Sequence, residues 1–222
     1  MPETTRITRL GFVNCFLVRE DDGLTLVDTM LPRSARRILA EAERLGAPIR
    51  RIALTHAHGD HIGSLDELHG LLPEAEVIIS DRDARLLAKD MSLDPSEPQA
   101  KLSGSYPGAR TRPSRTVSEG DMVGSLQVIA SPGHTPGHVC LLDPRDGTLL
   151  CGDAFTTIGG VATTAKGKAV FPLAVMGTWD KATELDSARK LCELEVSRLA
   201  PGHGRIVESP IAEMKAAVAR GT

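Results

Sequence analysis

The sequence is poor in aromatic residues. Only 3% of its 222 residues are aromatic, comprising one Trp, one Tyr and four Phe, whereas 41% are hydrophobic. Aliphatic side chains must therefore build the core, and the length is common for one α/β domain. We predict that residues 1–222 form a single domain.

Long apolar runs and an excess of basic charge are also missing. No stretch approaches the roughly 20 apolar residues that a membrane span needs, and residues 1–6 lead into strand-like sequence without a signal-peptide segment. The formal net charge is −3, with acids and bases interspersed, so there is no broad positive field for nucleic acid. We expect a cytoplasmic protein whose partner is a small-molecule substrate, not nucleic acid or a membrane; the oligomeric state is left open.

Cysteine is scarce, and no Cys-x-x-Cys pair occurs. The four cysteines, Cys15, Cys140, Cys151 and Cys192, lie in apolar surroundings. We expect buried free thiols here, because neither disulfides nor zinc ligands fit this pattern.

Histidine is concentrated in one short segment of the sequence. Three of the seven histidines fall within the heptapeptide Thr-His-Ala-His-Gly-Asp-His at residues 55–61. A single histidine is more often a surface or structural residue than a ligand, but three in six positions beside an aspartate are typical of a metal site. In an extended chain His56 and His58 point the same way and can share one ion. Asp60 and His61 lie past the turn and can face a second ion.

Three later segments each place one more candidate ligand after an apolar, strand-like run. His134, Asp153 and His203 follow such runs, on turns rich in Gly and Pro. Each is an ordinary strand-to-turn junction when taken alone. Together they supply one further ligand each at a strand end.

Short apolar runs alternate with amphipathic helical patterns, which indicates an α/β or mixed sandwich. Strands are predicted at 13–19, 24–28, 51–55, 76–80, 126–130, 138–142 and 148–151. Helices are predicted at 35–45, 62–72 and 181–196 and along the stripe Ile211, Met214, Val218. The succession of strand, helix and ligand-bearing turn at 24–61 is echoed at 148–203, so a site between two similar halves is expected.

The order of these motifs resembles that of the metallo-β-lactamase-fold hydrolases. His-x-His-x-Asp-His, a Gly-His turn, a Gly-Asp turn and a Gly-His-Gly turn follow one another over nearly the whole chain. The resemblance implies an α/β (α+β) fold, namely a four-layer αβ/βα sandwich with metals at one edge of two facing sheets.

The same resemblance implies a set of ligands. One ion would be bound by His56, His58 and His134. The other would be bound by Asp60, His61 and His203, and Asp153 would bridge the two ions. Asp28 then matches the acidic residue that lies beneath the metals and orients their imidazoles. Two divalent ions are expected, zinc first, with manganese or iron as alternatives.

Asp153 stands where β-lactamases of the family have Cys or Ser, so the sequence looks more like glyoxalase II, lactonases and related thioester hydrolases. Little chain follows His203, so the C-terminal glutathione-binding extension of glyoxalase II is expected to be missing. We expect a glyoxalase II-like hydrolase that cleaves a thioester, a lactone or another small ester. The alternative is a mononuclear iron dioxygenase of a thiol persulfide, with His56 and His134 beside Asp153 on one iron.

The expected chemistry follows from paired metals. Two divalent ions can hold a bridging water, lower its pKa toward neutrality and polarise a carbonyl oxygen. In the expected reaction hydroxide attacks an ester carbonyl, and Asp60, the expected catalytic residue, orients the hydroxide or accepts the proton.

Two segments rich in turn-forming residues, 91–115 and 156–178, are expected to cover the metal edge. The second starts just after the Gly-Asp turn, which favours a place in the substrate pocket. The candidates for substrate contact are Lys166, Lys168, Phe171 and Trp179.

Overall fold

The computed structural model describes residues 3–221. Its strands are β1 (Thr4–Arg9), β2 (Val13–Glu20), β3 (Gly23–Val27), β4 (Ile49–Ala53), β5 (Glu76–Ser80), β6 (Arg115–Val117), β7 (Met122–Val123), β8 (Leu126–Ala130), β9 (Val139–Asp143), β10 (Thr148–Gly152), β11 (Phe155–Thr156), β12 (Ala162–Thr163), β13 (Arg198–Pro201) and β14 (Val207–Glu208). Its helices are α1 (Ala35–Leu45), α2 (Gly59–Ile62), α3 (Leu65–Leu71), α4 (Asp81–Leu87), α5 (Leu173–Gly177), α6 (Lys181–Leu191) and α7 (Ile211–Gly221).

Most of the strands form two six-stranded sheets. The first has the order β1-β2-β3-β4-β5-β6, antiparallel from β1 to β3 and parallel from β3 to β6. The second has the order β14-β13-β10-β9-β8-β7, in which β10 and β13 are parallel and the other pairs are antiparallel. Strands β11 and β12 form a separate two-stranded sheet.

Three clusters of buried apolar side chains separate four layers. One cluster lies between the sheets and draws on β2, β3 and β5 from the first and on β8, β9 and β10 from the second. A second joins the first sheet to α1, α3 and α4, and a third joins the second sheet to α6 and α7. Along β10, Leu149 belongs to the helix side and Leu150 to the sheet side, as the alternation of a strand requires. The predicted αβ/βα sandwich is confirmed.

The apolar patterns located the main elements well. All seven predicted strands are present, and α1 spans the predicted 35–45. Gly46 ends α1 in the left-handed conformation, and its N–H bonds to the carbonyls of Ala42 and Glu43. This is the C-terminal cap that glycine forms with little strain.

Two helix predictions were wrong in their bounds. The helix predicted over 62–72 is broken between α2 and α3, because Gly63 N–H bonds to the carbonyl of Met30 and the Ser64 hydroxyl bonds to that of Leu31. These bonds tie the break to the loop after β3. The helix predicted over 181–196 ends at Leu191, where the N–H of Cys192 is shared between two carbonyls in a tightened last turn.

The predicted echo between the two halves has a structural counterpart. Strands β3 and β4 are parallel neighbours with α1 between them in sequence, and β10 and β13 are parallel neighbours with α6 between them. Because neighbouring parallel strands end at the same edge of their sheet, the turns after β3 and β4 lie side by side, and so do the turns after β10 and β13.

Burial agrees with the expectations for cysteine. All four cysteines are buried and free. Among residues 3–221, no helix combines the length and the apolar character that crossing a bilayer requires.

The cluster between the sheets yields a stability prediction. Leu150 is 1% exposed in that cluster, so Leu150→Ala should lower the free energy of unfolding by about 2–5 kcal/mol through lost burial and a residual cavity. Leu71→Ala is the control, because Leu71 is 56% exposed. Urea unfolding of the two variants measures the difference; equal midpoints would contradict the assigned packing.

Candidate metal centre

All seven predicted ligands lie together where strands β4, β8, β10 and β13 end. Their ligand atoms fall into three overlapping groups, and within each group all the atoms lie within 4.8 Å of one another. The groups are His56, His58 and His134; His56, His61 and Asp153; and Asp60, His61 and His203. All of these side chains are buried except that of Asp60, which is partly exposed.

The first group consists of three buried histidines. Nδ1 of His58 lies 3.0 Å from Nε2 of His134, and the ring of His56 stands edge-on to both rings. Burial lowers the pKa of His58 to about 4 and also lowers the pKa values of His56 and His134. The three imidazoles are therefore neutral, which is the form that binds a metal ion.

Asp153 lies between this group and the others. Its Oδ2 is 3.4 Å from Nε2 of His134 and 3.2 Å from Nε2 of His203, while its Oδ1 is 3.3 Å from Nε2 of His61. On the far side, Oδ2 of Asp60 is 3.3 Å from Nε2 of His203. One carboxylate is thus within reach of ligands from both sets.

The carboxylates of this centre demand positive charge. Burial opposes the ionisation of Asp153, but the charges of His203 and His61 outweigh it and hold its pKa well below the ordinary value. Burial likewise opposes protonation of the two histidines, yet the charge of Asp153 raises the pKa of His61 and lifts that of His203 to about 9. A buried carboxylate, Asp153, beside a partly exposed one, Asp60, gives the negative charge that divalent ions favour.

Asp28, at the end of β3, supports two ligands from below. Its Oδ2 accepts hydrogen bonds from Nδ1 of His61 and from the Thr55 hydroxyl, both at 2.8 Å, and its Oδ1 accepts one from the Thr55 N–H. The Thr55 hydroxyl lies 3.0 Å from Nδ1 of His56. These contacts occupy the Nδ1 atoms and leave Nε2 of His56 and of His61 toward the centre.

The segment 91–115 orients His58. Nε2 of His58 donates to the carbonyl oxygen of Ser103 at 3.0 Å, which leaves Nδ1 toward the centre. Gly104, at φ +95°, packs against the same ring, and a Cβ there would overlap Nε2 of His58. Tyr106 covers another side of the ring at 4.6 Å between centroids.

The segment before α6 and α6 itself orient His134. Nδ1 of His134 lies 3.1 Å from the Thr178 hydroxyl, which leaves Nε2 toward the centre. The backbone N–H of His134 bonds to Oε2 of Glu184, a carboxyl fully buried on α6. The ring and the backbone of this ligand are therefore held separately.

Asp83, on α4, ties together two loops that carry ligands. Its carboxylate accepts from the N–H of Ala57 at 2.9 Å, from the Thr135 hydroxyl at 2.8 Å and from the N–H of Gly137 at 2.8 Å. Burial raises the pKa of Asp83 to about 6, so the carboxylate form prevails at neutral pH. This side chain fixes the spacing between the heptapeptide and the turn of His134.

His138 has a structural contact with the shared carboxylate residue. Its Nε2 accepts a hydrogen bond from the backbone N–H of Asp153 at 3.0 Å, and its Nδ1 lies 2.9 Å from the Ser131 hydroxyl. Both ring nitrogens are occupied, so His138 holds the turn after β10.

The residues present fit metal ions. Among the buried atoms without a hydrogen-bond partner are Nε2 of His56, Nε2 of His61 and Oδ1 of Asp153. Unpaired buried polar atoms are costly, and here they converge on one place. Imidazole and carboxylate donors suit zinc as well as iron or manganese.

A cavity of about 640 Å³ opens onto the ligands, and both predicted cover segments line it. Phe171 is part of its wall. Lys166, Lys168 and Trp179 lie outside that wall. The indole N–H of Trp179, the residue after the second segment, donates to the carbonyl of Ala100 in the first segment at 3.0 Å. Lys166 is exposed.

Sequence reasoning missed several of the supporting residues. Asp83 had a local signal, since Ser80 caps α4 by accepting from the N–H of Asp83 in a Ser-x-x-Asp pattern. Thr178 and Glu184 had none beyond their polarity. The carbonyl of Ser103 could not have been found, because every residue has one.

Comparison with known proteins now places the chain in a family. Residues 8–203 match the model of the metallo-beta-lactamase superfamily. The chain therefore belongs to this superfamily of metallo-hydrolases.

Among individual proteins, the chain is 44% identical over 207 residues to the protein YobT of Bacillus subtilis, which covers 93% of this chain and 89% of YobT. It is 32% identical over 222 residues to the probable metallo-hydrolase YflN of the same species, covering 90% of this chain and 82% of YflN. It is 35% identical over 129 residues to hydroxyacylglutathione hydrolase from Nitrosococcus oceani, but spans only 42% of that enzyme. Its structure is similar to a di-iron-bound form of TTHA1623, with a TM-score of 0.67, 25% identity and 96% of each chain covered.

The support beneath the ligands yields a prediction about metal affinity. Asp28→Asn keeps the shape of the side chain but replaces an acceptor oxygen by an amide donor, so metal affinity should fall about 10–100-fold. Competition with a chromophoric chelator measures the affinity. Asp66→Asn is the control, because Asp66 also accepts several hydrogen bonds, from Arg110 and Thr111, but contacts no ligand. Equal affinity in the two variants would contradict the role of Asp28.

The packing of Gly104 yields a second prediction. Gly104→Ala should weaken metal binding, because the new Cβ would displace the ring of His58. Gly120→Ala is a matched control, because Gly120 has φ +85° and a Cβ added there would meet no atom within 4 Å. This variant therefore has the same kind of backbone strain as Gly104→Ala but no steric overlap. The chelator titration should separate the two variants, and a similar affinity in both would show that Gly104 matters only through its backbone.

Proposed function

We propose that this chain is a metal-dependent hydrolase that cleaves a small thioester, lactone or other ester with the help of two divalent ions. The observation that carries the proposal is the set of three overlapping groups of ligand atoms beside one cavity, with the Asp153 carboxylate 3.2–3.4 Å from nitrogens of His61, His134 and His203. One ion would be held by His56, His58, His134 and Asp153, the other by Asp60, His61, His203 and Asp153. Zinc is the first expectation for both, with manganese or iron as alternatives.

When bound, such ions supply a water of lowered pKa and a Lewis acid for a carbonyl oxygen. The chain's own residues would orient the water and the substrate. Asp60 lines the cavity and is the most exposed of the candidate ligands. Burial opposes its ionisation, but the hydrogen bond from His203 and the charge of His61 hold its pKa below the ordinary value. Its carboxylate is therefore ionised at neutral pH and can accept a hydrogen bond that orients the attacking water; acceptance of the water's proton is the second role proposed for it.

Similar proteins support both the hydrolysis and the two metal ions of the proposal. YflN is described as a probable metallo-hydrolase, and the partial match to hydroxyacylglutathione hydrolase favours thioester cleavage. The di-iron-bound form of TTHA1623 favours a site for two ions and keeps iron among the alternatives.

The mononuclear dioxygenase is less well supported. One iron held by His56, His134 and Asp153 would leave Asp60, His61 and His203 without a metal ion to bind. Clustering these polar side chains without such a partner is costly. We therefore place hydrolysis first.

Metal analysis combined with one variant tests the proposal. Protein stripped by a chelator and reloaded should bind two ions per chain and hydrolyse simple thioesters and lactones. Asp60→Asn, assayed at saturating metal, should lose about 10²- to 10⁴-fold in kcat with a much smaller change in KM. Steady-state kinetics together with elemental analysis measures both.

The control and the contrary results are distinct. Asp66→Asn should keep the activity of the unmodified chain, because Asp66 does not line the cavity and is not one of the candidate ligands. Unchanged turnover in Asp60→Asn would remove the role given to Asp60. One iron per chain, with oxygen consumption in place of hydrolysis, would establish the dioxygenase.

A further inference from the structure

The cavity above the candidate ligands has two kinds of lining. Its ionisable lining side chains are all candidate ligands, namely His58, Asp60, His134, Asp153 and His203. Apart from Ser105, which is polar but uncharged, the rest of the lining consists of apolar side chains and glycine. No Lys or Arg within residues 3–221 belongs to this wall.

An aromatic wall stands directly beside the ligands. The rings of Phe12 and Phe171 meet edge to face at 5.7 Å between centroids, and Phe171 is 5.2 Å from the ring of His203. Both phenylalanines line the cavity. In a chain with only four Phe, two of them bound the space into which a substrate must extend from the metal edge.

The mouth of the cavity is apolar as well. Leu173 and Met176, on the short helix α5, line the cavity and are 60% and 68% exposed. Leu31, Pro32 and Pro107 also line it. Contiguous apolar side chains that face solvent at the rim of a cavity are typical of a binding surface.

The charges that could hold an acidic substrate lie elsewhere. The two lysines of the 156–178 segment, Lys166 and Lys168, are not part of the wall. A carboxylate at a distance from the reacting carbonyl would lose water against apolar side chains and gain no cation in return. An alkyl or aryl group in the same place would be buried favourably.

We propose that this site takes uncharged substrates in which an apolar acyl or alkyl group extends from the reacting carbonyl along Phe12, Phe171 and Leu173, and that it discriminates against esters with an anionic leaving group. The inference rests on the proposed hydrolase function and names its substrate class. The reaction consumes one water, breaks the bond between the acyl carbon and the sulfur or oxygen, and releases an acid with a thiol or alcohol.

Two matched thioesters test the inference. The hexanoyl thioesters of N-acetylcysteamine and of 3-mercaptopropionate share an acyl group and differ in the charge of the thiol. With the metal-loaded chain, kcat/KM should be at least about tenfold higher for the neutral thioester than for the anionic one, because the 3-mercaptopropionate thioester would bury its carboxylate without a counterion. Lengthening the acyl group from acetyl to hexanoyl should raise kcat/KM about fourfold for each methylene that reaches the apolar wall.

One variant should reduce the selectivity between the neutral and the anionic thioester. Leu173→Lys places a cation at the mouth, and because Leu173 is 60% exposed the fold should tolerate it. It should raise kcat/KM for the 3-mercaptopropionate thioester and lower it for the neutral one. Leu71→Lys is the matched control, since Leu71 is 56% exposed away from the cavity, and it should change neither value.

Equilibrium dialysis of the non-hydrolysable ketone analogues of both thioesters gives a readout apart from activity. The neutral analogue should bind more tightly to the unmodified chain, and Leu173→Lys should narrow the difference. Equal rates and equal binding for the two charge types would overturn the substrate class while leaving hydrolysis intact. Selective binding without hydrolysis of any ester at full metal loading would instead overturn the proposed function and leave the selectivity of the cavity standing.

Discussion

The structure depends on holding seven candidate metal-binding side chains together at one edge, six of them buried. An imidazole whose outer nitrogen is already hydrogen-bonded can turn only its other nitrogen inward. Asp28, the Ser103 carbonyl and the Thr178 hydroxyl do this for His61, His58 and His134 in turn. At the centre, Nε2 of His56, Nε2 of His61 and Oδ1 of Asp153 are left without a hydrogen-bond partner, and a cation would satisfy them together.

The supporting contacts come from all parts of the chain. Asp83 joins the heptapeptide to the turn after β8, Glu184 holds the backbone of His134 from α6, and His138 holds that of Asp153. Each of these acceptors binds a backbone N–H of a ligand-bearing loop. Order at the centre therefore depends on the packing of the helices against their sheets, and substitutions far from the ligands should reach the site through these bonds.

The sequence predicted the architecture and the clustering of the candidate ligands better than it predicted the pocket. Apolar alternation located the seven main strands, and the crowding of histidine at 55–61 identified the centre, because scarce residues in dense spacing carry strong information. Helix bounds were predicted less well where contacts between residues far apart in sequence determine them, as at the break between α2 and α3. Lys166 and Lys168 were candidates for substrate contact because their segment follows Asp153, but the cavity is lined by Phe171 and Leu173 and by neither lysine. Local sequence does not carry the direction in which a loop folds.

An anomalous-scattering crystal structure of the chain saturated with zinc tests the central claim most directly. We expect two peaks at the strand ends, one among His56, His58 and His134 and the other among Asp60, His61 and His203, with Asp153 in contact with both. A single peak, or none among these residues at full saturation, would contradict it.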